Sequence, residues 1–264
     1  MIFGVDFLLV LSILVLVSGV MSLIDIVFFQ RKREQRGARQ PRIFEYSRAF
    51  FPVFLTVLAI RSFVFQPYRV VSGSLEPTVA VGDFLAVKQF AYGLRLPVSH
   101  TKVLNVSEPK VGQIALFRYP INPAIVFVKR VVGTPGDHVE YHNKVLTVNG
   151  IEAKTKVIGQ GMDEEPGRPA MPMILKEENL AGIKHKIYVS AEGGEEMDID
   201  LVVPKGSYFM MGDNRDDSSD SRVWGVVPEE NLIGEAGLVI LSWDSNKDWL
   251  HKLRFARIGK GFTI

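Results

Sequence analysis

Apolar residues crowd the first 70 positions of the chain, and short alternating runs occupy the remainder. From Phe7 to Ile24 there is no charge, and polar residues are limited to scattered Ser with a Gly. That length reaches across a bilayer. The run has no polar stripe of the kind a core helix turns to solvent. Its basic residues follow it, whereas a cleavable leader carries them in front. A membrane-spanning helix within residues 1–29 is therefore predicted. A second apolar run covers 49–65, interrupted by Arg61 and with Pro52 near its start. Proline is tolerated in a first helical turn, and an arginine near a span's end reaches the headgroups. A second span over 49–66 is predicted.

Between the spans lie Arg31, Lys32, Arg33, Arg36, Arg39 and Arg42. By the positive-inside rule this 30–48 segment is a cytoplasmic loop. Two spans then put residues 67–264 outside the membrane. In that region β-type runs dominate, at 84–87, 114–117, 125–128, 145–148, 187–189, 208–211 and 237–243. Asn149-Gly150 between two such runs predicts a type I′ hairpin. The Gly-Thr-Pro-Gly-Asp cluster at 133–137 predicts a turn. The expected fold is mainly β, an antiparallel sheet of barrel-like or sandwich form following two N-terminal transmembrane helices. The stretch at about 153–206 contains a Glu-, Lys-, Gly- and Pro-rich segment of weak periodicity, and an inserted hairpin region on the surface is expected there.

Composition narrows the chemistry. The chain has no cysteine, which removes thiol nucleophiles, disulfides and thiolate metal sites. The net charge of +2 gives no reason to expect a nucleic-acid partner. His100, His138, His142, His185 and His251 form no H-E-x-x-H pair, so no metal site is expected. The acidic run from Asp213 to Asp220 fails the EF-hand spacing, since counting from Asp216 puts Ser221 where Gly belongs and Val227 where Glu belongs. No G-x-S-x-G elbow is present.

Three clusters stand out. They are Val71-Ser72-Gly73-Ser74-Leu75-Glu76-Pro77-Thr78, Val128-Lys129-Arg130-Val131-Val132-Gly133, and Met211-Gly212-Asp213-Asn214-Arg215-Asp216-Asp217-Ser218-Ser219-Asp220-Ser221-Arg222. Singly these read as a serine-rich turn, a strand and a solvated acidic loop. In this order, with Pro109 to Pro120 between the first two, they resemble the successive sequence boxes of bacterial type I signal peptidases. The resemblance runs from the apolar segments to the end of the chain and is weakest in the insertion.

The resemblance implies a serine–lysine endopeptidase that removes signal peptides from exported preproteins. Ser74 matches the nucleophile and Lys129 the base. Ser72 matches an oxyanion-hole hydroxyl, joined there by the Ser74 amide, and Ser218 matches the hydroxyl that orients the lysine. Asp220 and Arg222 match a supporting ion pair, with Asp213 and Arg130 a second. Tyr68, Val70, Leu75, Leu85, Leu116, Phe127 and Val128 match pocket positions. The chain departs from the pattern at Leu75, where Met is usual, at Asp217, where Asn is common, and at Val126 and Gln113, where Asp is frequent. The expected partners are preprotein signal peptides and the lipid bilayer, with no cofactor. The expected location is the bacterial inner membrane, with the catalytic domain on its outer face. The alternative is a membrane-anchored β-domain that binds exported proteins without cutting them.

The residues themselves fit a lysine base. A serine hydroxyl needs a base to take its proton, and a lysine can serve only when neutral. Apolar surroundings disfavour the ammonium. Ile125, Val126, Phe127 and Val128 precede Lys129, and in a strand Phe127, Lys129 and Val131 share one face.

Overall fold

The computed structural model describes residues 7–37, 39–63, 65–95, 101–164, 168–193, 197–244, 247 and 252–262. The chain forms two compact units, Met1–Phe65 with Gly93–Asn105, and Gln66–Tyr92 with Val106–Ile264.

The first unit is helical. Helix α1 (Phe7–Ile24) passes through a π-helical turn, Asp25–Phe29, into α2 (Gln30–Arg36). Gly37 ends it in the left-handed conformation, φ 59°, with its amide donating to the Arg33 and Glu34 carbonyls. Helix α3 (Arg42–Phe63) follows Pro41. The basic segment expected as a loop over 30–48 is thus largely helical, because Gln, Arg, Lys and Glu are good helix formers and only Gly37 and Pro41 interrupt them. Both helical stretches are long and apolar enough to cross a membrane. Leu16, Leu23, Phe28 and Ile60 are exposed on them, as a lipid-facing surface requires. Asp25 is buried between them, with Arg33 donating to both carboxylate oxygens at 2.6 and 2.9 Å and Gln40 donating at 3.1 Å.

In chain order the strands are β1 (Phe65–Arg69), β2 (Asp83–Lys88), β3 (Leu94–Arg95), β4 (Lys102–Leu104), β5 (Ile114–Arg118), β6 (Val126–Gly133), β7 (His138–His142), β8 (Val145–Val148), β9 (Ile151–Glu152), β10 (Lys154–Asp163), β11 (Met171–Leu180), β12 (Ile183–Ser190), β13 (Ile199–Val202), β14 (Ser207–Met211), β15 (Val227–Pro228) and β16 (Leu232–Ser242). The short β3–β4 pair groups with the helical unit and so departs from the expected 67–264 domain.

The second unit is mainly β. Its largest sheet among the described residues runs β1-β2-β16-β5-β6-β14-β15. The register shifts along β16, between Leu232 and Gly234 and twice more before Ser242, and again in β14. Such bulges bend and twist a strand, and here they curl the antiparallel sheet. A smaller sheet, β13-β7-β8-β9, carries the predicted hairpin, where Asn149 (φ 53°) and Gly150 (φ 73°) both take the positive φ of a type I′ turn.

The insertion is a meander, β10-β11-β12, rather than a surface hairpin. Its Met173, Leu180, Ile187 and Val189 are buried, and Glu178 on β11 is fully enclosed. An apolar cluster of Val70, Leu75, Val79, Leu85, Leu116 and Val239 holds the loop after β1 against the large sheet.

Candidate active site

The loop that carries Ser74 leaves β1 and returns at β2. It closes on itself where the Val70 amide donates to the Asp83 carbonyl (2.8 Å) and the Gly82 amide to the Val70 carbonyl (2.9 Å). Leu75 and Val79 have no exposed surface and pin the loop to the core beneath it. Asp83 secures its base, accepting from Arg257 Nη2 at 2.7 Å and Ser242 Oγ at 2.6 Å. Ser74 is buried at 9 % exposure, and its Oγ lies 3.3 Å from Ser72 Oγ.

Lys129 lies on β6, paired with Ala115 of β5. Ala115 is fully buried, as are Phe117 and Val131 in the same cluster, with Phe127 packed against them. The Lys129 amine is 5.7 Å from the Phe127 ring centre. Only 3 % of Lys129 is exposed. Burial pulls its pKa down to about 8, against an opposing pull from Asp220. Nζ donates to Ser218 Oγ at 3.0 Å.

Ser218 comes from the loop between β14 and the short helix α4 (Ser221–Trp224), and buried charges fix that loop at both ends. Arg130, next to Lys129 on the strand, donates from Nε and Nη2 to Asp213 at 2.7 and 2.6 Å and from Nη1 to the Gly112 carbonyl at 2.6 Å. Arg222 donates to Asp220 from Nε and Nη2, at 2.8 and 2.7 Å, and the Gly212 amide donates to the same carboxylate at 2.9 Å. Asn214 joins this loop to the first, its amide donating to the Ser74 carbonyl at 3.2 Å.

These partners are costly to remove. Replacing Asp213 by Ala leaves the buried Arg130 guanidinium without its carboxylate, and a loss of about 3–5 kcal/mol in stability is expected. Thermal unfolding in detergent measures it, and an unchanged midpoint for Asp213→Ala would show the pair to be dispensable.

Ser72, Ser74 and Lys129 line one cleft of about 360 Å³ together with Tyr68, Val70, Leu85, Leu116, Phe127 and Val128. Val126, Asp217 and Ser219 also line it. Leu75, expected in the pocket, lies in the core under the loop and not on the cleft wall. Gln113 is not on the cleft wall, and its side chain donates to Glu235 at 3.4 Å.

Several structural partners have no signal in the sequence. Thr78 donates to Asp213 at 2.6 Å. Arg215 is held by a bidentate pair with Glu178 of the insertion, one arm at 2.6 Å. Asp163, at the end of β10, accepts from Asn214 Nδ2 at 2.9 Å. Away from the cleft, His138, Glu140 and Asp200 offer ligand atoms within 4.8 Å of one another. The His138 ring is already bonded to Asp200 at 2.6 Å on an exposed sheet face, which accounts for the cluster without an ion.

The chain matches the family described as "Signal peptidase, peptidase S26" over residues 43–243. It is 39 % identical to signal peptidase I of Pseudomonas fluorescens, over 97 % of this chain and 99 % of that protein. It is 39 % identical to signal peptidase I of Pseudomonas aeruginosa, over 96 % of this chain and 98 % of that protein. A solved signal peptidase I from Enterococcus faecalis is 26 % identical, with 50 % of this chain and 98 % of that chain aligned and a TM-score of 0.31.

Proposed function

The chain belongs to the signal peptidase family, peptidase S26, and from that premise we propose that it is a membrane-bound serine endopeptidase in which Ser74 and Lys129 form the catalytic dyad. It removes N-terminal signal peptides from exported preproteins and cuts after small residues. The observation that carries the reading is the amine of Lys129, nearly sealed from water, bonded to Ser218 Oγ at 3.0 Å and lining the same cleft as Ser74.

In the reaction Lys129, as the free amine, takes the proton of Ser74 Oγ while that oxygen attacks the carbonyl carbon of the residue before the cut. The Ser74 amide and the Ser72 hydroxyl donate to the oxyanion, and a donor of this kind is worth about 3–4 kcal/mol. The ammonium then protonates the departing amine of the mature protein and leaves an ester on Ser74. Water, activated by the same amine, releases the signal peptide as a carboxylic acid. Apolar walls from Leu85, Leu116 and Val128 favour small side chains one and three residues before the cut, the A-x-A pattern of secretory leaders. Two helices anchor the enzyme with its basic segment in the cytoplasm and the catalytic unit on the outer face. The anchor raises the effective concentration of the enzyme near membrane-bound preproteins.

The test is cleavage of a preprotein with Ala at both positions by the purified full-length chain in detergent. A single new N-terminus after the second Ala is expected, and a bulky residue there should stop the reaction. An intact preprotein would leave the chain a binding domain. The pH dependence of kcat/KM is a second prediction. Since Lys129 must shed its proton, and its pKa is about 8, the rate should rise through pH 8. On the acid side it should fall about tenfold per pH unit. A profile that is flat or declines from neutral to pH 9 is incompatible with a lysine base.

A further inference from the structure

Besides Lys129 the cleft is lined by two charged residues, Arg69 and Asp217, and Asp217 is the acidic one. Asp217 precedes Ser218 and lines the cleft beside Lys129. Arg168, on the connection between β10 and β11, grips it with both guanidinium arms, one at 3.1 Å. On its other side the Asp217 carboxyl meets that of Asp163. Asp163 is 2 % exposed, and its Oδ1 has no hydrogen-bond partner among the described residues. Burial holds Asp163 above the ordinary carboxylate range, whereas the Arg168 hydrogen bond holds Asp217 below it.

Both partners come from the insertion, and further bonds tie it to the same loop. The Tyr188 amide donates to the Asp213 carbonyl, and the Arg215 amide donates to the Tyr188 carbonyl, both at 2.9 Å. The Ser190 amide donates to Asp216 at 2.7 Å. The insertion thus holds the segment that presents Ser218.

We infer that Asp217 is a positioning residue for Lys129, a carboxylate fixed by Arg168 of the insertion that stabilises the ammonium formed when Ser74 gives up its proton. The inference rests on the proposed dyad. It gives the insertion a part in catalysis, and it gives a reason for Asp at a position where the family commonly has Asn. The charge acts in both directions, making Lys129 harder to deprotonate at rest and easier to protonate in the reaction. Other groups also face these side chains. Asp220, Arg222 and Asp213 surround Lys129. Glu76 and Tyr188 stand near Asp163. Burial lifts the Glu76 pKa to about 7, so it titrates close to the relevant range.

The test is the pH profile of preprotein cleavage by the full-length Asp217→Asn enzyme, with Glu76→Gln as a background that removes the other near-neutral group. Loss of the negative charge should move the acid limb of kcat/KM down by about one pH unit. It should also lower the alkaline plateau of kcat by about tenfold with KM unchanged. Asp217→Glu, which keeps the charge, should return the limb towards its original position. Arg168→Gln, which releases the clamp, should reduce kcat with little change in thermal unfolding. A limb that stays in place in a folded Asp217→Asn enzyme overturns the inference and leaves the dyad intact. A wild-type profile with no acid limb, or a wild-type chain that does not cut, defeats the dyad instead.

Discussion

Replacing Lys129 by Met, or Ser74 by Ala, is expected to reduce preprotein cleavage by about four orders of magnitude or more, since members of a nucleophile–base unit fail together. Met matches the length of lysine and keeps the apolar contacts around Ala115, Phe117 and Val131. The loss would then come from the missing amine and not from a collapsed site. Stability should change in the opposite sense at neutral pH. The amine has its pKa depressed from 10.5 to about 8 by burial. Below pH 8 the folded and unfolded chains both carry the proton, and the folded chain bears the burden of a buried charge. Between pH 8 and 10.5 only the unfolded chain holds the proton, so wild-type stability rises through that window, by roughly 3 kcal/mol in total. Lys129→Met should lack this rise. Thermal unfolding of both proteins at pH 7 and pH 10.5 measures the difference, and parallel behaviour of the two would mean that the amine is not desolvated. Residual cleavage near the wild-type rate by either variant would eliminate the dyad.

The features legible in the sequence were the ones made by neighbours in the chain. Asn149-Gly150 specifies its turn because both residues tolerate positive φ. The apolar flanks of Lys129 already argue for a dry amine, and the cleft bears its neighbours. The run at 125–128 and the cluster from Val128 to Gly133 are read separately, the second as a strand bearing Lys129. They form one strand, β6, ending at Gly133, and the Lys129 and Arg130 charges on it are buried. Pairs made across long separations left no trace. Glu178 and Arg215 are 37 residues apart, and Asp163 and Asn214 are 51 apart. An acid in a Glu- and Lys-rich stretch looks solvated until its partner is known. Asp25 was hidden differently, since an acid after an apolar run reads as the end of a span, yet Arg33 and Gln40 enclose it between the helices. Leu75 was expected in the pocket from the family resemblance. It turns inward because the loop needs an apolar anchor to hold Ser74 against the sheet.

That anchoring explains why one small residue should matter as much as a reacting group. A Cβ on Gly212 would stand 2.2 Å from Ser218 Oγ, 2.5 Å from Ser218 Cβ and 2.4 Å from the Ser74 carbonyl oxygen. Rotating the Ser218 hydroxyl would relieve only the first of these contacts. The other two involve a side-chain root and a backbone atom, so the loops bearing Ser74 and Ser218 would have to part. Lys129 donates to Ser218 Oγ, and the Asp220 bond to the Gly212 amide resists any outward shift of residue 212. Gly212→Ala is therefore expected to lower kcat/KM by about 100-fold or more, the penalty of a displacement near 1 Å in reacting geometry. Overpacking of this kind should also cost about 1–3 kcal/mol in stability. Steady-state cleavage of a preprotein and thermal unfolding in detergent read the two effects separately. If Gly212→Ala cut at the wild-type rate, the close approach of the two loops would be a packing feature with no bearing on catalysis. If it lost activity while Asp213→Ala lost mainly stability, the contact at Gly212 would be what sets the spacing of nucleophile and base, and the Arg130–Asp213 pair would serve to hold that contact in place.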